Sequence, residues 1–152
     1  MFPPIYLQSP TNRTVALKVL VADDSDIMRR RLLYMIEAIG GVKSVFEAGD
    51  YTGTLQHLSH NRPDILVLDI RMPGGSGIDV LKSLETQTET RKRPALIIVY
   101  TNYSYPQYFE ECYRLGADYC FDKSTDTDNL VDVIRSHCFL PEGAGASHNS
   151  NR

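Results

Sequence analysis

The chain is poor in the patterns that mark several large classes of protein. Its three cysteines, Cys112, Cys120 and Cys138, are an odd number without CxxC spacing. That argues against a disulfide framework and for a reduced, cytoplasmic chain. Long hydrophobic runs are missing as well. The longest, Ile65–Leu68 and Ala95–Val99, are far too short to cross a bilayer, so no membrane span is expected. The first ten residues lack the basic start and apolar centre of a signal peptide. Positive charge is not in excess: the net charge of -3 gives no electrostatic reason to expect nucleic acid or a membrane surface as partner. No internal repeat is visible. A length of 152 residues, with 42% apolar and 23% charged residues, fits one globular domain with ragged ends.

What is present is organised around Ile65-Leu66-Val67-Leu68-Asp69-Ile70-Arg71-Met72-Pro73-Gly74-Gly75-Ser76-Gly77. Four apolar residues run straight into a carboxylate, followed by a Pro/Gly turn. A short apolar run bounded by turn signals suits a strand buried on both faces, as in a parallel sheet. Asp69 then stands at the strand's carboxyl end, where open α/β sheets bind ligands.

The flanking chain repeats this alternation. Residues 1–14, with Pro3, Pro4 and Pro10, read as an extended leader. A first strand over 16–22 ends in Asp23-Asp24-Ser25-Asp26, whose acids suit the start of a helix. Met28, Leu32, Met35, Ile36 and Ile39 share one face of that helix, which Gly40-Gly41 should stop. A strand over 42–47, a helix over 51–60, the central strand and a helix over 76–85 follow. Then come a strand over 95–101, a helix from Pro106 ending at Gly116, a strand over 118–121 and a helix over 126–138. Pro141 should close the domain, leaving 142–152 as a Gly/Ser/Asn tail with little to bury. Five strand–helix alternations predict an α/β, doubly wound parallel sheet covered on both faces.

In such a sheet the ends of the first, third, fourth and fifth strands converge on one edge. They carry Asp23 and Asp24, then Asp69, then Thr101, then Lys123. Three crowded carboxylates repel one another and need a cation. Hard oxygen ligands with open positions suit Mg2+. Lys123 offers a positive charge for a phosphoryl oxygen and Thr101 a hydroxyl donor. Asp69 is the candidate nucleophile, forming an acyl phosphate.

Val21-Ala22-Asp23-Asp24-Ser25, Leu68-Asp69-Ile70-Arg71-Met72-Pro73-Gly74, Val99-Tyr100-Thr101 and Gly116-Ala117-Asp118 through Lys123 together resemble a two-component response-regulator receiver domain of the single-domain, CheY-like type. The likeness covers residues 16–140. It implies a flavodoxin-like five-stranded sheet of order 2-1-3-4-5 in a domain over 15–140. It also implies that Asp69 accepts a phosphoryl group from a histidine kinase or histidine phosphotransfer protein. Mg2+ would be held by Asp24, Asp69 and the backbone carbonyl of Arg71, with Asp23 acting mainly through a metal-bound water. Thr101 and Lys123 would contact the phosphoryl oxygens. The resemblance makes the chain a switch with possible self-dephosphorylation, not a turnover enzyme. Tyr100, Tyr103, Tyr105, Tyr108 and Tyr113 cluster around the fourth strand and the following helix, where core and rim packing is the plain reading. The alternative implied by the resemblance is a surface of helix 4, strand 5 and helix 5 for a downstream protein or for dimerisation.

Three positions depart from the family pattern. Cys120 stands where receivers carry an aromatic switch residue. Ser124 replaces the proline that usually follows the lysine in a cis linkage. Asn102 occupies a place usually given to a very small residue and would narrow access to the site. Arg71 and Tyr103 flank the site and are candidates for tuning the lifetime of the phosphoryl group.

Plainer readings attach to other residues. His57 and His60 have no evident acidic or thiolate partner and read as surface histidines. Cys112 and Cys138 lie on apolar helical faces and read as core residues. Gly74-Gly75-Ser76-Gly77 lacks the Gly-Lys-Ser/Thr of a phosphate loop and reads as a tight turn. The few residues after the last helix suggest a stand-alone receiver; a fragment of a larger hybrid kinase or regulator is the alternative. Less favoured are a phosphorylation-independent binding module and a Mg2+-dependent phosphohydrolase. The latter would want a second acid at position 71, where Arg71 stands.

Overall fold

Five short apolar segments become the strands of one sheet. The computed structural model describes residues 13–87 and 93–140. In it β1 spans Leu17–Ala22, β2 Val42–Ala48, β3 Ile65–Leu68, β4 Leu96–Thr101 and β5 Tyr119–Asp122. Neighbouring strands are all parallel, in the order β2-β1-β3-β4-β5 expected above. Every residue of β3 and β4 is buried, and in β1 only Lys18 is partly exposed. That is why these central strands read as uninterrupted apolar runs, whereas edge strands β2 and β5 carry polar and half-exposed positions.

Five helices cover the two faces: α1 (Asp26–Glu37), α2 (Tyr51–Asn61), α3 (Gly77–Glu85), α4 (Pro106–Arg114) and α5 (Thr127–Cys138). Side chains alternate across a strand, so each strand feeds two cores. Leu20, Leu66, Leu68, Ile97 and Val99 face Leu58 of α2, Leu81 and Leu84 of α3, and Cys112 of α4. Val19, Val21, Val67, Ile98 and Tyr100 face Leu32 and Ile36 of α1, and Leu130, Ile134 and Cys138 of α5. Full burial of one such Leu or Ile contributes about 1.5–3 kcal/mol. Cys112 and Cys138 are buried core residues, as read from their helical faces.

Helix starts are set locally. Ser25 caps α1, accepting from the Met28 N–H at 3.4 Å, and Asp50 caps α2, accepting from the Gly53 N–H at 2.7 Å. Ser76 and Asp79 form a reciprocal capping box at α3. Pro106 opens α4, where its missing N–H costs nothing.

The structure departs from the sequence reading in detail. Helix α1 ends at Glu37, capped by Ala38, before the glycine pair; Ile39 stays buried in the following turn. Gly41, with φ 102°, then turns the chain into β2. At the far end, Arg13–Thr14 pair antiparallel with Phe139–Leu140. The last two residues of the segment read as leader are therefore tied to the chain beyond α5. The rest of the leader, Pro141 and the tail lie outside the described residues. None of the described helices is long and apolar enough to cross a membrane.

Candidate functional site

The backbone hydrogen-bond ladder runs one residue past the strands and fixes two acids. The Asp23 N–H donates to the Ala48 carbonyl at 3.0 Å, and the Asp69 N–H to the Ala22 carbonyl at 2.9 Å. Asp23 and Asp69 are thereby buried, at 2% and 5% exposure, while Asp24 is exposed. One carboxylate oxygen from each of Asp23, Asp24 and Asp69 lies within 4.8 Å of the others.

Lys123, directly after β5, closes the cluster. Its Nζ donates to Asp23 Oδ2 at 2.5 Å and to Asp69 Oδ2 at 2.8 Å, and its backbone N–H donates to the Thr101 carbonyl at 3.0 Å. Burial alone would lower the Lys123 pKa, but its hydrogen bonds to Asp23 and Asp69 outweigh it and hold the ammonium above its usual value. Burial pushes the Asp23 carboxyl up, only partly offset by hydrogen bonds from Lys123 and the Ser25 N–H. Asp69 Oδ1 is buried with no hydrogen-bond partner, the one such side-chain atom among the described residues. Leaving a carboxylate oxygen so is costly unless something else engages it. Three carboxylates against one ammonium leave excess negative charge beside that oxygen. An all-oxygen donor set with an orphaned lone pair fits a hard divalent cation such as Mg2+.

Thr101 is fully buried at the end of β4; its Oγ1 accepts the Tyr103 N–H at 3.1 Å, leaving its own O–H free to donate. Arg71 is exposed at the mouth of the site. Its Nη1 donates to Tyr103 Oη, and its Cζ lies 5.5 Å from the Tyr103 ring centroid. Beside this pair opens a cleft lined by Ile70, Arg71, Ser76, Ile78, Tyr103 and Tyr108. Asn102, directly after Thr101, is exposed.

Cys120 does not join the cluster. Its side chain is buried in the same apolar core as Cys112 of α4, and its N–H donates to Tyr113 Oη at 3.1 Å. The Cys112 contact and burial push the Cys120 thiol up, keeping it neutral. Tyr119 and Phe121 stack on each other, 5.6 Å between centroids. The Lys123–Ser124 peptide is trans; the Ser124 N–H and hydroxyl both go to Asp122 Oδ1, at 2.7 and 2.5 Å. His57 pairs with Asn61 and His60 with the Gln56 carbonyl, and neither joins a metal-ligand group among the described residues.

Two supporting residues escaped the sequence reading. At Gly77 an added Cβ would lie 2.2 Å from the Asp69 carbonyl oxygen, so the first turn of α3 presses against the backbone of the acid. The Gly/Ser-rich turn was visible, but not what it abuts. Arg29 donates from Nη1 to the Asp23 carbonyl at 2.6 Å and also pairs with Asp26 and Glu47. Its i+3 spacing from Asp26 was the available signal.

A doubly wound 2-1-3-4-5 sheet with acids and a lysine gathered at its carboxyl edge defines the CheY-like class of signalling receivers. The chain belongs to the response regulator receiver domain family, which matches residues 19–135. It is 28% identical over 120 residues to the Bacillus subtilis sporulation initiation phosphotransferase F, covering 79% of this chain and 92% of that protein. It is 31% identical to the Bacillus anthracis sensory transduction protein LytT, covering 80% of this chain and 47% of that one. It is 29% identical to the uncharacterized Bacillus subtilis transcriptional regulatory protein YxjL, covering 79% and 53%. The chain thus spans about half the length of the latter two relatives. Among solved structures, the response regulator domain of Thermotoga maritima CheB superposes with TM-score 0.69 at 26% identity, covering 80% of this chain and 95% of that one. The signal receiver domain of a DNA-binding response regulator from Colwellia psychrerythraea shares the fold with TM-score 0.72 at 20% identity, covering 80% and 97%.

Proposed function

We propose that this receiver is a phosphorylation-dependent signalling switch with Asp69 as phosphoacceptor. The observation that carries the reading is the Asp69 carboxylate itself: one oxygen is held by Lys123 at 2.8 Å while the other is buried and unpartnered. An Asp69 oxygen attacks the phosphorus of a phosphohistidine on a kinase or phosphotransfer protein. The P–N bond breaks, and the departing imidazole nitrogen takes a proton. Lys123, held protonated, balances charge on the transferred phosphoryl oxygens, and the free Thr101 hydroxyl donates to one of them. Asp23, Asp24, Asp69 and the Arg71 carbonyl are the residues that would hold Mg2+. When bound, the ion neutralises the carboxylate cluster and the incoming phosphoryl charge. Self-dephosphorylation or onward transfer resets the switch.

The downstream partner is a protein, and the α4–β5–α5 face is its candidate surface, supported by exposed Tyr105, Tyr108, Tyr113 and Tyr119. Whether the receiver works alone or within a longer regulator is a separate matter, and relatives of both lengths are among those matched. The phosphohydrolase reading is disfavoured because Arg71 stands where that chemistry wants a second acid.

Intact mass after incubation with acetyl phosphate, with and without Mg2+, tests the reading. The expected result is a single Mg2+-dependent phosphoryl adduct in wild type and none in Asp69→Asn. An adduct of equal yield in the variant would overturn it.

A further inference from the structure

Tyr103 is tethered at two points. Its backbone N–H donates to Thr101 Oγ1 at 3.1 Å, and its phenol oxygen accepts from the Arg71 guanidinium, whose Cζ lies 5.5 Å from the ring centroid. Both tethers end on groups with a better option once Asp69 is modified. Arg71 is two residues from Asp69, exposed, and within electrostatic reach of Asp24. Its present partner is a neutral phenol. Phosphorylating Asp69 replaces a singly charged carboxylate with a group of about two negative charges and three acceptor oxygens. A charge-assisted bond to such an oxygen is roughly twice as strong as a neutral one, and the planar guanidinium fork suits it. Thr101, likewise, has a free O–H to turn toward the phosphoryl group, and that turn alters the angle at which its oxygen accepts from Tyr103.

We infer that Tyr103 is the phosphorylation-responsive side chain of this receiver, held over the rim by Arg71 in the unmodified state and released when Arg71 and Thr101 turn to the phosphoryl group on Asp69. Tyr103 and Arg71 both line the cleft with Ile70, Ser76, Ile78 and Tyr108, so the release reshapes that cleft. The signal leaves along the β4–α4 rim, in a chain whose residue 120 is a small buried thiol with no ring to swing. Arg71 acts here as a positioning residue, through Tyr103. The inference rests on Asp69 being the phosphoacceptor.

The chain contains no tryptophan, so Tyr103→Trp places a single emitter at the position. It gives up the phenol acceptor and reports on the two tethers that remain, the Arg71 guanidinium over the ring and the backbone N–H to Thr101 Oγ1. The protein is treated with acetyl phosphate and Mg2+, with intact mass and tryptophan emission read on the same sample. The expected result is a shift in emission and in acrylamide quenching that follows the phosphoryl adduct. The same shift should be absent in Tyr103→Trp/Asp69→Asn. It should be largely lost in Tyr103→Trp/Arg71→Ala, whose ring is already free, and partly restored by Arg71→Lys. An adduct with unchanged emission, or an equal shift in the Arg71→Ala background, overturns the inference while leaving Asp69 as acceptor. No adduct in any form overturns the phosphoacceptor reading and the inference with it. As a second readout in the otherwise native chain, Tyr103→Phe removes the phenol acceptor and should change the adduct's lifetime severalfold. An unchanged lifetime in both Tyr103→Phe and Arg71→Ala counts against the release.

Discussion

Two cations face the same acidic site and are held in opposite ways. Lys123 has a side chain only 5% exposed and two buried carboxylate partners. Arg71 is exposed, and its partner is the uncharged ring and hydroxyl of Tyr103. A buried ammonium between carboxylates cannot leave without stranding charges in a poorly solvated place, so Lys123 is part of the frame. An exposed guanidinium loses little by changing partner, because water replaces what it gives up. The site thus has a fixed corner that does the charge balancing and a loose corner free to respond. The two should differ sharply under mutation.

The largest effect is expected at the fixed corner. Lys123→Met leaves buried Asp23 and Asp69 without their cation. It should slow phosphoryl transfer from acetyl phosphate by about 100-fold or more, followed by timed intact mass. It should also cost about 3 kcal/mol of metal-free stability in urea titration, with Mg2+ recovering part of the loss. If this variant is as stable as wild type without metal, Lys123 is not the frame described here.

Next comes Gly77→Ala. Its Cβ would meet the Asp69 carbonyl at 2.2 Å, and backbone cannot step aside as a side chain can. Overpacking of this kind costs about 1–3 kcal/mol, and the displaced Asp69 should accept phosphate more slowly. Normal stability with normal transfer would show that the loop absorbs the methyl group.

Protonation gives a subtler contrast. The Asp23 carboxyl titrates above its ordinary 3.8 because of burial, so in the folded state it holds its proton to higher pH than when unfolded. Its contribution to stability is full below 3.8 and is lost as pH rises through the folded value. Asp23→Asn should therefore raise the metal-free melting temperature at neutral pH and remove that part of the pH dependence, while weakening Mg2+ binding. Lys123, raised from 10.5, contributes stability fully present below that value and lost as pH climbs through its folded value. The alkaline loss should be missing in Lys123→Met. A lower melting temperature for Asp23→Asn would mean that its hydrogen bonds outweigh its burial.

The smallest effect belongs to the loose corner. Arg71→Ala should leave stability within about 0.5 kcal/mol of wild type, as for surface substitutions generally. A thermal melt showing a much larger loss would place Arg71 in the frame with Lys123 and erase the contrast.

Much of this was legible from residue order. The buried strands announced themselves because both of their faces are covered, which leaves no room for polar alternation at Ile65–Leu68 or Leu96–Val99. Asp23, Asp69 and Lys123 were legible because each follows directly on a strand, and Thr101 because it ends one; parallel strands deliver their ends to one edge. The Arg71–Tyr103 contact was visible only as two residues flanking the site. Gly77 showed only as part of a turn and Arg29 only by its i+3 spacing from Asp26. That the glycine abuts the Asp69 backbone and the arginine reaches the Asp23 carbonyl was not visible, nor was the stop of α1 at Glu37 before its glycines. The Gly77 contact depends on what stands across the gap between β3 and α3.

The sequence by itself determined the doubly wound sheet, the residues at its carboxyl edge and the chemistry those residue types share, because hydrophobic period and strand-end position are local properties. The tertiary structure decided which charges are buried and which are free, that Cys120 faces Cys112 instead of the acids, and that Tyr103 is tied to both Thr101 and Arg71. Burial and partner choice are set by residues far apart in the chain. The arginine at position 71 and the tyrosine at 103 meet only because β3 and β4 lie side by side.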